Sequence, residues 1–174
     1  DAPKPRQDAW YLSGKEIAGR KFYFHSEVVK KEAVEKKSKS GVSLNARISP
    51  VGAGSQFTFT ADFTNVAPDD FAALLYALAL EENMRHKIGY AKPCGLGSIR
   101  VDLAKLVLRD DPSLRYRQGG GETVFQGAAL AAELNTRVAP FVTTIPPTTL
   151  ADLRRIWQWP PAAGVTYAYP TQAQ

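Results

Sequence analysis

The amino-acid sequence predicts an α+β fold, and three observations carry that reading. Two runs alternate apolar and polar residues and are joined by a glycine-bearing turn. An amphipathic helical stretch follows them. A glycine-rich connection then leads from that helix into another strand.

Taken in order, residues 1–27 form an N-terminal arm ending in a basic and aromatic strand, "RKFYFH". Its alternation puts Phe22 and Phe24 on a core side and leaves Arg20, Lys21, Tyr23 and His25 available on the other. Residues 28–41 are rich in lysine and poor in bulky apolar groups, which reads as a solvated flexible loop. Residues 42–112 carry the best-patterned elements. In "GVSLNARIS", Val42, Leu44, Ala46 and Ile48 face one way, with Ser43, Asn45 and Arg47 opposite. In "FTFTADFT", Phe57, Phe59, Ala61 and Phe63 point inward and the threonines and Asp62 outward, so the two runs make a hairpin with one wet face.

"NVAPDDFAALLYALALEEN" predicts a helix. Pro68 suits the first helical position, Asp69 and Asp70 complement the helix N-terminus, and Phe71, Leu74, Leu75 and Leu78 recur with helical spacing. "SIRVDLAKLVL" reads as a strand whose alternation changes phase near Ala104 and Lys105, marking a bulge. Strand, strand, helix, glycine-rich loop and strand is the second half of a ferredoxin-like βαββαβ unit. No amphipathic helix follows "RKFYFH", so the unit is incomplete and finishes its sheet with a neighbouring chain or domain. Residues 113–174 read as an accessory extension. "DDPSLRYRQGGGET" is a flexible connection and "TVFQGAALAAELNTRV" has helical composition. "VAPFVTTIPP" is extended because of its prolines. "TLADLRRIWQWPP" is a short helix with a capping box from Thr149 to Asp152, stopped by Pro160; "GVTYAYP" is a final strand.

The 174 residues suffice for one domain with a real core. A hydrophobic fraction of 44% excludes a disordered polymer. The net charge of +5 favours an acidic partner, usually nucleic acid or an anionic surface. The single cysteine, Cys94, excludes an intrachain disulfide and a cysteine-rich zinc site and fits a reduced, cytoplasmic protein. The sequence points to no cofactor and no metal. It has no apolar leader and no run near the roughly 18 apolar residues of a membrane span. Because it begins with Asp1, it reads as a trimmed chain or part of a longer one.

"HKIGYAKPCGLGSIRV" concentrates basic side chains and permissive backbone. Glycines let backbone N–H groups turn toward an anion, and His86, Lys87, Lys92 and Arg100 supply charge around them. That combination suits phosphate held by shape rather than base identity. On local sequence alone, a helix-to-strand turn whose glycines solve only a backbone problem is the simpler reading. The order helix, loop, strand excludes a P-loop and a Rossmann fingerprint.

The same stretch resembles the C-terminal glycine-rich loop of the RAMP proteins of CRISPR effector complexes. Gly89, Lys92, Gly95, Gly97 and Ser98 match the pattern; Ala91 departs from it, where the family usually has glycine. The preceding strand and helix, "GRKFYFH" and the tail "LADLRRIWQWPPAAGVTYAYP" are similar to type III members, so the resemblance covers residues 11–109 and 149–170. It implies a ferredoxin-like, RNA-recognition-motif-like core in a type III ribonucleoprotein for antiviral defence. The implied partners are guide RNA first, target RNA second, and other RAMP-type subunits or domains, with no membrane.

The RNA-contacting residues on this reading are Arg20, Lys21, His25, His86, Lys87, Gly89, Lys92, Gly95, Gly97 and Ser98. Asp62, Asp69 and Asp70 read as structural, and catalysis is not expected from this chain alone. Trp157 and Trp159 read as packing or subunit contact rather than a base platform. Two alternatives stay open: a structural adaptor that caps a neighbouring subunit without touching RNA, and a precursor-RNA-processing ribonuclease using His86 as general acid or base.

Overall fold

The structure is a computed structural model that describes residues 22–26, 48–109, 111–114, 116 and 121–163. The N-terminal arm with Arg20 and Lys21, the lysine-rich loop, the first expected strand up to residue 47 and the expected final strand lie outside the described residues.

The protein is a small α+β protein, with three helices and two antiparallel two-stranded sheets among the described residues. The helices are α1 (Pro68–Ala79), α2 (Gly127–Thr144) and α3 (Pro147–Ile156). Strand β1 (His86–Lys87) pairs with β2 (Ser98–Ile99), and β3 (Leu106–Leu108) pairs with β4 (Thr123–Phe125). None of these helices is long and apolar enough to cross a membrane.

The described residues fall into two compact units, each discontinuous in sequence. The first takes in Asn83–Ile99 and the described residues of Asp1–Phe57 and Leu153–Gln174; the second takes in Thr58–Glu82 and Arg100–Asp152.

The second unit holds the main hydrophobic cluster. Helix α1 starts as the sequence predicts, with Pro68 in its first turn beside Asp69 and Asp70, and it buries Phe71, Ala72, Leu75 and Tyr76. Phe71 and Leu75 pack with Leu106, Leu108 and Leu130, and Leu74, Leu103, Phe125, Leu134 and Val138 close around them. Leu130 comes from α2, so the segment expected to be accessory supplies core. Arg137 stacks its guanidinium over the Phe71 ring at 5.4 Å while pairing with Glu133 one turn earlier. Tyr76 packs its ring near Phe141 at 6.0 Å.

Four expectations are corrected here. Residues 57–64 form no strand, and Phe57 and Phe59 are 79% and 66% exposed. The glycine-bearing turn before them does form, with Ser55 N–H donating to the Gly52 carbonyl. Alternation buries a face only when a neighbouring strand extends the sheet, and the described residues supply none to this segment. Among the described residues Phe63 has a ring partner, Phe71 at 4.7 Å.

The second correction concerns the run from Ser98 to Leu108, which is two short strands rather than one. β2 and β3 pair with different partners, and the residues between them, including Ala104 and Lys105, leave the ladder altogether instead of forming a bulge within one strand. Third, α2 runs straight through Pro140 to Thr144 instead of ending in an extended segment. Pro140 removes one backbone donor, but the surrounding turns keep theirs, and Thr143 and Thr144 hydroxyls donate to the Pro140 and Phe141 carbonyls. Fourth, α3 begins at Pro147, so Thr149 and Asp152 lie within the helix instead of capping it. It ends at Ile156, before Pro160, because the next residues leave for a strand-like bridge.

Candidate functional site

The site lies in the first unit and is built by two antiparallel pairings. Residues 83–85 lie against 157–159: Met84 bridges Gln158, Arg85 N–H donates to the Trp157 carbonyl at 2.9 Å, and Trp159 N–H donates to the Asn83 carbonyl at 2.8 Å. β1 then pairs with β2, with His86 opposite Ile99 and Lys87 opposite Ser98. The glycine-rich stretch is thus the loop of a hairpin, closed at its base by Ile88 N–H donating to the Gly97 carbonyl at 2.8 Å.

The loop's shape needs its glycines. Gly89, Gly95 and Gly97 all have positive φ, near 81°, 96° and 82°. At Gly97 a Cβ would overlap the Ile88 carbonyl oxygen. Ala91 is also left-handed, at φ 57° and ψ 27°, which a Cβ tolerates only with strain. Between these positions Lys92–Cys94 makes one 3-10 turn, with Gly95 N–H returning to the Lys92 carbonyl.

Two lysines pin this loop. Lys87 Nζ donates to the Gly95 and Leu96 carbonyls at 3.0 and 2.9 Å, and Lys92 Nζ donates to the Gly89 carbonyl at 3.0 Å. An ammonium has three donors, so among the described residues Lys87 keeps one and Lys92 two for another acceptor. Burial holds the Lys87 ammonium below its ordinary pKa of 10.5. Lys92 Nζ also lies 5.9 Å from the centre of the Tyr23 ring.

Beside the loop is a cleft of about 190 Å³ lined by Phe22, Tyr23, His86, Lys87, Lys92 and Trp157. Trp157 meets the Phe22 ring edge-on at 6.4 Å and the His86 ring at 6.3 Å and 44°.

His25 is seated differently from expectation. Its side chain is buried at 1% exposure, Nδ1 lies 2.7 Å from Ser98 Oγ and Nε2 lies 2.9 Å from the Arg85 carbonyl. A carbonyl can only accept, so Nε2 carries the proton and Nδ1 accepts from the Ser98 hydroxyl. The ring packs edge-on against Trp159 at 5.5 Å. Burial, then the nearby charges of Lys87, Arg85 and His86, hold its pKa below 6.5, while the bond to the Arg85 carbonyl opposes the shift. The expectation for "RKFYFH" is corrected: residues 22–26 form no strand, Phe22 is 44% exposed and lines the cleft together with Tyr23, and His25 goes inside because both its nitrogens find partners there.

Of the residues the sequence singles out, His86, Lys87 and Lys92 meet at the cleft, and Gly89, Gly95 and Gly97 shape the loop beside it. His25 and Ser98 form an internal pair instead. The sequence reading set Trp157 aside as packing or subunit contact and placed Phe22 in the core, whereas both wall the cleft. Among the described residues no cluster of histidine, cysteine and carboxylate could hold a metal ion. Comparison of the chain with protein-family models, curated proteins and solved structures finds no match.

Proposed function

We propose that this chain is an RNA-binding RAMP-type subunit or domain of a type III CRISPR ribonucleoprotein, with a ferredoxin-like fold completed by neighbouring protein, and that it holds the guide-RNA backbone. The observation that carries this reading is the meeting of a positive-φ glycine loop with Lys87, Lys92 and His86 at one cleft. Phosphate is held by point charges, which Lys87 and Lys92 supply at the cleft while the glycine loop positions them. The resemblance of "HKIGYAKPCGLGSIRV" to the RAMP loop supplies the family and the guide RNA as ligand. Lys87 is a poor first mutation, because its ammonium also fastens two loop carbonyls. Lys92 fastens one.

Lys92→Glu is therefore expected to weaken binding of a labelled single-stranded RNA by about tenfold at low salt, with little change in melting temperature. Fluorescence anisotropy alongside thermal unfolding measures both. Unchanged affinity would remove the loop from the RNA site.

A second role in protein contact is favoured by exposed Phe57, Phe59 and Val51, apolar side chains of the kind a neighbouring subunit would cover. On that reading the chain caps a neighbour as an adaptor that touches no RNA, and protein association that survives complete RNA removal would favour it.

A further inference from the structure

We infer that the cleft takes one unstacked nucleotide of the bound strand, its base on the Trp157 platform and its phosphate at Lys87 and Lys92. This rests on the RNA-binding reading above and gives it a second contact, to the base.

The cleft's lining has an unusual composition. Its charged members, Lys87 and Lys92, are cations, and Phe22, Tyr23, His86 and Trp157 are all planar rings. Among the described residues no carboxylate lines it. A ligand that satisfies both halves must be anionic at one end and flat and apolar-faced at the other, which is the chemistry of a nucleotide.

Size points the same way. About 190 Å³ is smaller than the roughly 300–1,000 Å³ of pockets for drug-sized ligands. One base fits that description better than a stacked run of bases. Trp157 is held in place from two sides. Its carbonyl accepts from Arg85 N–H, and Phe22 and His86 pack at its ring. A held ring loses little entropy when a base stacks on it.

Among the described residues the lining has no asparagine, glutamine, aspartate or glutamate, the side chains that read base edges best. Stacking tolerates any base because every base has a π-face. The cleft is thus sequence-tolerant, as a site on a variable guide has to be.

The test compares, on the full chain, a uridylate hexamer with a hexamer of abasic ribose phosphates of equal charge. The base-bearing strand is expected to bind about tenfold more tightly at the same salt. Adenylate and cytidylate hexamers should fall within a few-fold of it. Trp157→Leu should erase the difference between the two hexamers. Equal affinity of the wild-type protein for both hexamers would overturn the stacking inference and leave phosphate holding intact. Failure to bind either would overturn the RNA reading itself, and this inference with it. Competition by free uridine monophosphate at the hexamer's own concentration would overturn the assignment to a strand. Should Trp157→Leu fail to fold, the wild-type comparison still decides, and Phe22→Leu, at a more exposed wall position, is expected to narrow the difference.

Discussion

At the residue scale, His25 shows how a polar side chain can outcompete phenylalanine for the interior. Its neutral ring donates to the Arg85 carbonyl and accepts from Ser98, so burial costs it no hydrogen bond. Protonation has to occur among the charges of Arg85, His86 and Lys87, which oppose it. In the unfolded chain the ring titrates near 6.5, and in the folded chain below that. The unfolded state therefore binds more protons in that window, and stability rises with pH through it. The protein should lose stability as pH falls below about 6.5, and be insensitive to this group above it. His25→Gln should flatten that part of the profile in denaturant unfolding. Ser98→Ala should cost about 1–3 kcal/mol by leaving the buried Nδ1 without its donor. Nothing in "RKFYFH" announces this, because both partners come from residues more than fifty positions away in sequence.

At the scale of elements, legibility follows the range of the forces involved. α1 is readable because its signals are local: a proline and two aspartates at the start, then apolar residues at helical spacing. The glycine loop is readable as a loop for the same reason. The strand expected at 57–64 is not, since its alternation is a promise that only a neighbouring strand can keep. α2 passes through Pro140 because Leu130, Leu134 and Val138 are held against α1, which outweighs one missing donor. Within the β1–β2 hairpin the backbone itself makes a prediction. Gly97→Ala should destabilise by more than about 2 kcal/mol, through a left-handed φ and overlap with the Ile88 carbonyl. Ala91→Gly should be neutral or stabilise by up to about 1 kcal/mol, because it relieves a left-handed alanine. Thermal unfolding of the two variants measures both. Equal losses would mean that the loop does not depend on these conformations.

At the scale of the whole molecule, each compact unit is assembled from separated stretches of chain. Half of the candidate site was legible in the sequence, because the lysines and glycines lie within one continuous loop. The other half was not, because Trp157 and Phe22 reach the cleft from opposite ends of the chain. Periodicity and motif spacing carry no information about such distant meetings. The exposed phenylalanines at 57 and 59 and the two short sheets fit a chain that works within an assembly. The most direct measurement is therefore purification of the protein from its own cells under mild salt, with sequencing of the RNA and identification of the proteins that come with it. A guide-holding subunit should bring short repeat-derived RNAs together with other RAMP-type subunits, the RNA lost progressively as salt is raised. Recovery without RNA, or with protein partners whose association is unchanged after complete RNA removal, would contradict that role.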